Sequence, residues 1–220
     1  GHFLKTISCA PKYNLLEILT HIRHSEKVFT MKRLLVIIIL TLSFQSWTKA
    51  DDIRDFQIEG MSIGDSLLKF YDKKKIINLE KIDYPNSNKF YGIWLNTSSD
   101  KYDTYGFSLK KNDNKFTIYQ LKGSVRMNFD KCMNVKKDIK KEIQESLLIS
   151  SEQNYKSDYQ NNLGKSYSEV TDLVVENGSI RIWCENFDKN FEKSKYWIEA
   201  LNVDASSEEY LNWLDNEAYK

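Results

Sequence analysis

The stretch Met31–Ala50, MKRLLVIIILTLSFQSWTKA, constrains this chain more than any other, because it separates residues that must fold from residues that need not. Lys32 and Arg33 lead into an apolar run from Leu34 to Phe44, and Thr48 and Ala50 stand at the small-residue positions of an A-x-A-like cleavage site. A bilayer-spanning helix needs about 20 apolar residues. This run breaks at Gln45 after eleven. The pattern predicts a secretory signal peptide over residues 31–50, cut between Ala50 and Asp51. Residues 1–30 precede it and read as a non-native upstream extension of the frame. No cysteine follows the apolar run within the stretch, so a lipoprotein anchor has no acceptor. The expected product is a soluble periplasmic domain, Asp51–Lys220, without a stable membrane span.

Cutting there changes the composition. The remaining chain carries 25 basic against 29 acidic residues, whereas the whole chain is +1. A mildly acidic domain without a basic stripe does not suit nucleic acid, because phosphate neutralisation needs clustered Lys and Arg. Lys73, Lys74 and Lys75 read as a solvated helix end. All three histidines, His2, His21 and His24, fall in the removed part. Without them no Ser-His-Asp or Cys-His nucleophile and no imidazole zinc site can be built, and no catalytic residue, metal or cofactor is expected. Cys132 and Cys184 are the remaining thiols, far apart and not in a C-x-x-C pair. In an oxidising compartment they are expected to form one disulfide.

Along the domain, Ser62 followed by Asp65 has the form of a capping box. Ile63, Leu67, Phe70 and Tyr71 after it share one helical face. The segments KFYGIWLN, TYGFSLKK and KFTIYQLKGSV between Lys89 and Val125 alternate with period two, and Asn112–Asn114 supplies a turn. They predict a three-stranded meander. Asp130 is placed to cap a second helix with Cys132, Val135, Ile139, Ile143 and Leu147 on its buried side. Residues 150–166 read as a polar linker. Asn177-Gly178 between β-rich runs marks a hairpin. In its second strand Ile180, Ile182 and Cys184 share one face, and Arg181, Trp183 and Glu185 the other. Two periodicities thus turn both sulfurs inward. A strand over Tyr196–Val203 and a helix capped by Ser206 with Glu209 close the chain. The predicted class is α+β, with an antiparallel sheet of two three-strand meanders and helices packed on one face.

Several motifs fail their tests. Asp100 and Asp103 lack the spacing of a calcium loop. Gly164-Lys165-Ser166 has Tyr159 where a phosphate-binding loop needs its first glycine. The sequons at Asn96 and Asn177 matter only in a eukaryotic secretory pathway, and a composition rich in Lys, Asn, Ile, Ser and Tyr points to an AT-rich bacterial genome. IEGMSIGDSLLKF, with Gly60, Met61 and Ser62 entering a helix before a meander, resembles periplasmic modules of the outer-membrane assembly lipoprotein (BamE, small protein A) and β-lactamase-inhibitor type over Ile58–Val125. The whole chain also resembles uncharacterised exported proteins of marine bacteria. The first resemblance implies a protein-binding module.

Function follows as an expectation. The leading one is non-catalytic binding of a periplasmic protein or envelope component, with Arg181, Trp183 and Glu185 as the candidate surface, since Trp and Arg anchor interfaces. The alternatives are a glycan hydrolase using two carboxylates and a carrier holding a small ligand in the sheet.

Overall fold

The strands at the rims of the two expected meanders would leave rows of unpaired backbone groups, and the protein satisfies them by pairing the meanders with each other. The computed structural model describes residues 49–97, 99–159, 164–189 and 198–220. The signal stretch up to Thr48 and residues 1–30 lie outside them. Eight strands form one antiparallel sheet: β1 (Lys81–Tyr84), β2 (Ser87–Asn96), β3 (Thr104–Lys110), β4 (Ile118–Arg126), β5 (Ser151–Asp158), β6 (Tyr167–Val175), β7 (Gly178–Asn186) and β8 (Ala200–Ser207). Their order is β1-β2-β3-β4-β8-β7-β6-β5. The expectation of two separate meanders is therefore corrected. β2-β3-β4 and β6-β7-β8 both exist, and the β4–β8 pairing, Gln120 opposite Ser206 through Arg126 opposite Ala200, fuses them.

Of the two rim strands, β1 is only four residues long and β5 carries no apolar alternation for sequence to reveal. Every residue of β5 is exposed, so the expected linker over 150–166 is in its first half a strand. It is held by an eight-pair ladder to β6.

Among the described residues there are three α-helices: α1 (Lys73–Ile77), α2 (Phe129–Ser146) and α3 (Glu208–Asn216). The expected helix after Ser62 is replaced by a 3-10 turn, Leu67–Lys69, and the short α1. Half of the capping box forms, with the Ser62 N–H donating to Asp65 Oδ2 at 3.1 Å. The backbone is nevertheless claimed by β4: Gly64 N–H donates to Ile118 O at 2.8 Å and Ile118 N–H to Asp65 O at 2.9 Å. Gly64, at φ +87°, makes the bend that this requires. Tertiary pairing overrides a local helix signal. α2 forms where periodicity places it, but its cap is Asn128, whose side chain accepts from Lys131 N–H, and not Asp130.

The core lies on one face of the sheet. Phe107, Leu121, Leu173, Ile180, Ile182, Leu201 and Val203 from the strands meet Ile76 of α1 and Cys132 and Ile143 of α2. Cys132 and Cys184 are fully buried there and joined in a disulfide, with 5.8 Å between their Cα atoms. Ala50–Lys220 is one compact unit. Its first residues are tied in at once: Leu148 N–H donates to Ala50 O and Glu176 N–H to Asp51 O, at 2.7 and 2.9 Å.

α3 departs from the expected one-sided arrangement. Its Tyr210 and Trp213 form a second cluster with Phe90, and Phe90 is in phase with Gly92 and Trp94, on the face opposite Tyr91 and Ile93. Its cap is Ser207, which accepts from Tyr210 N–H at 3.2 Å. Ser206, the expected cap, is the next-to-last residue of β8 instead. α1 and α2 cover one face, and α3 closes one end of the other.

Candidate functional site

Two-residue periodicity sends every second side chain of the central strands away from the core, and the face they form is polar, aromatic and concave. A cavity of about 440 Å³ on it is lined by Ile82 and Tyr84 from one rim and Tyr155 and Ser157 from the other. Eight flat strands would hold their rims roughly 34 Å apart. The sheet therefore curls into a trough. Tyr210, Leu211 and Leu214 of α3 line one end of it.

The ladder registers assemble the floor in rows. The row nearest α3 is Gly92, Ser108, Gln120, Ser206 and Ser179. The middle row is Trp94, Gly106, Lys122, Asp204, Arg181 and Asp172, which alternates charge over its last four strands. The third contains Ser124, Asn202, Trp183, Val170 and Tyr155.

Lys122 is the centre of this arrangement. Its Nζ lies 4.4 Å from the Trp183 ring centroid and 5.1 Å from that of Trp94, a cation–π contact on either side. Gly106 eases the second contact: a Cβ there would come within 3.1 Å of the Trp94 indole, so any other residue would require the ring to shift by a few tenths of an ångström. Burial lowers the Lys122 pKa, opposed by the charges of Glu185 and Asp204.

Asp204, the neighbouring strand's contribution, is buried. Burial raises its pKa, while hydrogen bonds from Ser206 Oγ and Gln120 Nε2, at 2.7 and 2.5 Å, and the charges of Lys122 and Arg181 act against that rise. Gln120 is itself oriented by Ser108 Oγ, which donates to its Oε1 at 2.6 Å. Asn202 is 2% exposed and accepts from Ser124 Oγ at 2.6 Å. Its Nδ2 has no partner among the described residues. An unpaired buried amide donor costs about 1–3 kcal/mol.

The candidate residues read from the hairpin are distributed as follows. Arg181 and Trp183 line the trough. Arg181 binds Asp172 through two parallel contacts, Nε–Oδ1 at 2.6 Å and Nη2–Oδ2 at 3.1 Å. Glu185 projects on the same side beyond the cavity lining and accepts from Tyr159 OH at 3.1 Å. Burial raises the pKa of that tyrosine to about 12. Lys122, Asp204, Asn202 and Trp94 join them without being part of the surface expected from the hairpin. Alternation of Asn202, Asp204 and Ser206 with Leu201, Val203 and Ala205 is the signal that could have found the first strand of them, had the strand not been ended at Val203.

Among the described residues no three His, Cys, Asp or Glu side chains gather in a metal-binding group; of the two carboxylates in the floor row, Asp204 lines the cavity and Asp172 is bound to Arg181. The arrangement offers paired donors and acceptors flanked by indoles, suited to holding an elongated polar ligand. In comparisons with protein-family models, curated proteins and solved structures, nothing matches the chain.

Proposed function

We propose that the chain is a non-catalytic periplasmic binding domain that takes a segment of a protein or another envelope component into the trough. The observation carrying this reading is β8, a central strand that turns three buried polar side chains, Asn202, Asp204 and Ser206, to the concave floor. A face serving stability alone would be filled with apolar groups, because each buried polar group costs free energy unless fully paired. Asp204 and Ser206 line the cavity itself, and one amide donor, on Asn202, is buried without a partner among the described residues. Trp94, 45% exposed, and the half-buried Trp183 add the aromatic surface that recurs at interface anchors.

Export is supported by the signal-like stretch Met31–Ala50 and by the disulfide, which persists in oxidising compartments. Among the described residues no helix is long and apolar enough to cross a membrane. A hydrolase working with two facing carboxylates is disfavoured because Arg181 stands between Asp204 and Asp172 in the floor row and binds Asp172 through both carboxylate oxygens.

The test places a photoreactive residue at Trp94 in the mature, oxidised domain and irradiates it in periplasmic extract. One dominant adduct is expected, competed away by unmodified domain and not by a Lys122→Ala, Trp183→Ala variant. Equal competition by that variant would overturn the reading.

A further inference from the structure

The two rims of the sheet are finished differently. β1 has four residues, its register with β2 shifts between Asp83 and Tyr84, and Pro85 follows it. These are the usual means of blunting an edge. β5 has none of them: eight exposed residues in unbroken register, without proline or bulge.

The direction of its backbone groups follows from the ladder. Tyr159 N–H donates to Ser166 O at 3.1 Å, extending the β5–β6 register by one hydrogen-bonded pair. Antiparallel pairs alternate between bonded and non-bonded. Ser151, Gln153, Tyr155 and Ser157 therefore engage β6, and Glu152, Asn154, Lys156 and Asp158 point their N–H and C=O groups outward.

We infer that this rim pairs with the same rim of a second copy of the chain, antiparallel about a two-fold axis at Asn154. Charge and strand overlap together select the register. Centred on Asn154, each outward backbone pair faces another, and Glu152 stands opposite the other copy's Lys156 twice over. Centring on Glu152 or on Lys156 sets like charges face to face, centring on Tyr155 sets Glu152 against Asp158, and centring on Gln153 gives no charge pair; centring on Ser157 sets Lys156 opposite Asp158 but overlaps only residues 156–158 of the two strands. Directly opposite bonded residues lie about 5.5 Å apart at Cα, within reach of an ion pair.

The side chains have capacity for the contact. The Glu152 carboxylate accepts from Lys140 Nζ, Gln144 Nε2 and Asn154 Nδ2 at 2.6, 2.6 and 2.7 Å, leaving one of about four acceptor positions. Among the described residues, Lys156 Nζ makes a long contact, 3.6 Å, to Asp158 and lies over the Tyr167 ring. A two-fold axis normal to the sheet keeps both troughs on one side. It also sets Tyr155, a wall residue of one trough, beside Gln153 of the other copy.

Sedimentation velocity of the mature oxidised domain over a concentration series is the test. The wild type is expected to be a dimer, and Lys156→Glu and Glu152→Lys each a monomer, with dimerisation weakened by more than about tenfold because two like-charge pairs face each other. An equimolar mixture of the two variants is expected to form a heterodimer, since every facing pair is then opposite in charge. Amide exchange gives a second readout: Glu152, Asn154 and Lys156 are protected at high concentration and exposed on dilution. A wild type that stays monomeric, a mixture that does not associate, or fast exchange at those amides at every concentration would overturn the inference.

Discussion

The two faces of the one sheet obey opposite rules. On the helix-covered face, buried side chains such as Leu173, Ile180, Ile182 and Val203 meet Cys132 and Ile143 of α2, and the disulfide fastens the layers. On the trough face, the same strands contribute Ser179, Arg181, Trp183, Asn202 and Asp204. β7 and β8 thus alternate between the two rules at every step. The first face supplies apolar burial, and the second carries a network of hydrogen-bonded polar groups between indoles.

Removing the disulfide should break this contrast most forcefully. Cys132→Ala with Cys184→Ala opens a loop of 52 residues in sequence, and the chain-entropy model gives a loss of about 4 kcal/mol. Urea unfolding of the oxidised protein and the double variant measures it. Next in size is Leu173→Ala on the packed face, expected to cost about 3 kcal/mol through lost burial and a residual cavity. Trp94→Ala on the trough face is expected to cost less than about 1 kcal/mol, as a partly exposed substitution. Similar losses for these two would dissolve the distinction between the faces.

Lys136 sharpens it from the other side, as a charge on the packed face. Its Nζ donates to Glu169 O at 2.7 Å, and burial lowers its pKa to about 8. Above pH 8 the folded chain sheds this proton while the unfolded chain keeps it until about 10.4. The unfolded state then binds more protons, so this group makes stability rise with pH across that window and costs most below it. Lys136→Met is expected to stabilise the fold by about 1–2 kcal/mol at pH 7, consistent with replacing a buried charge by an apolar group of similar length. The same substitution should flatten the rise between pH 8 and 10, read from urea midpoints at several pH values. The smallest effect belongs to the trough: a double-mutant cycle on Arg181 and Asp172 should return about 0.5–1 kcal/mol, because the pair is well aligned but half exposed.

Sequence made the packed face legible and the trough only partly so. Cys132, Ile143 and Leu147 at helical spacing, and Ile180, Ile182 and Cys184 at strand spacing, carry their burial in their periodicity. Asn177, at φ +60°, turns the β6–β7 hairpin where the Asn-Gly signal placed it. The rim strand β5 could not be read, since a fully solvated strand is stabilised by its neighbour and not by its own pattern. The trough needed still more. Lys122 and Trp94 sit inside strands that were expected, yet their meeting with Asp204 and Trp183 depends on β4 pairing with β8 across about 80 residues, a choice made by unsatisfied edges and not by local propensity. The serine at 206 shows the remaining ambiguity: a cap-like spacing to Glu209 competed with a strand position, and the ladder to β4 and β7 won.

The strand order also has a kinetic consequence. β8, which follows the other seven strands of the sheet in sequence, is its seam, with β4 on one side and β7 on the other. Until residues 200–207 arrive, each half presents a long open edge, and no local pairing can substitute for the missing one. Such non-local closure is slow relative to hairpin formation. A chain emerging N-terminus first would therefore hold two incomplete half-sheets until Ala200–Ser207 is made, and that one strand would convert them into one cooperative unit.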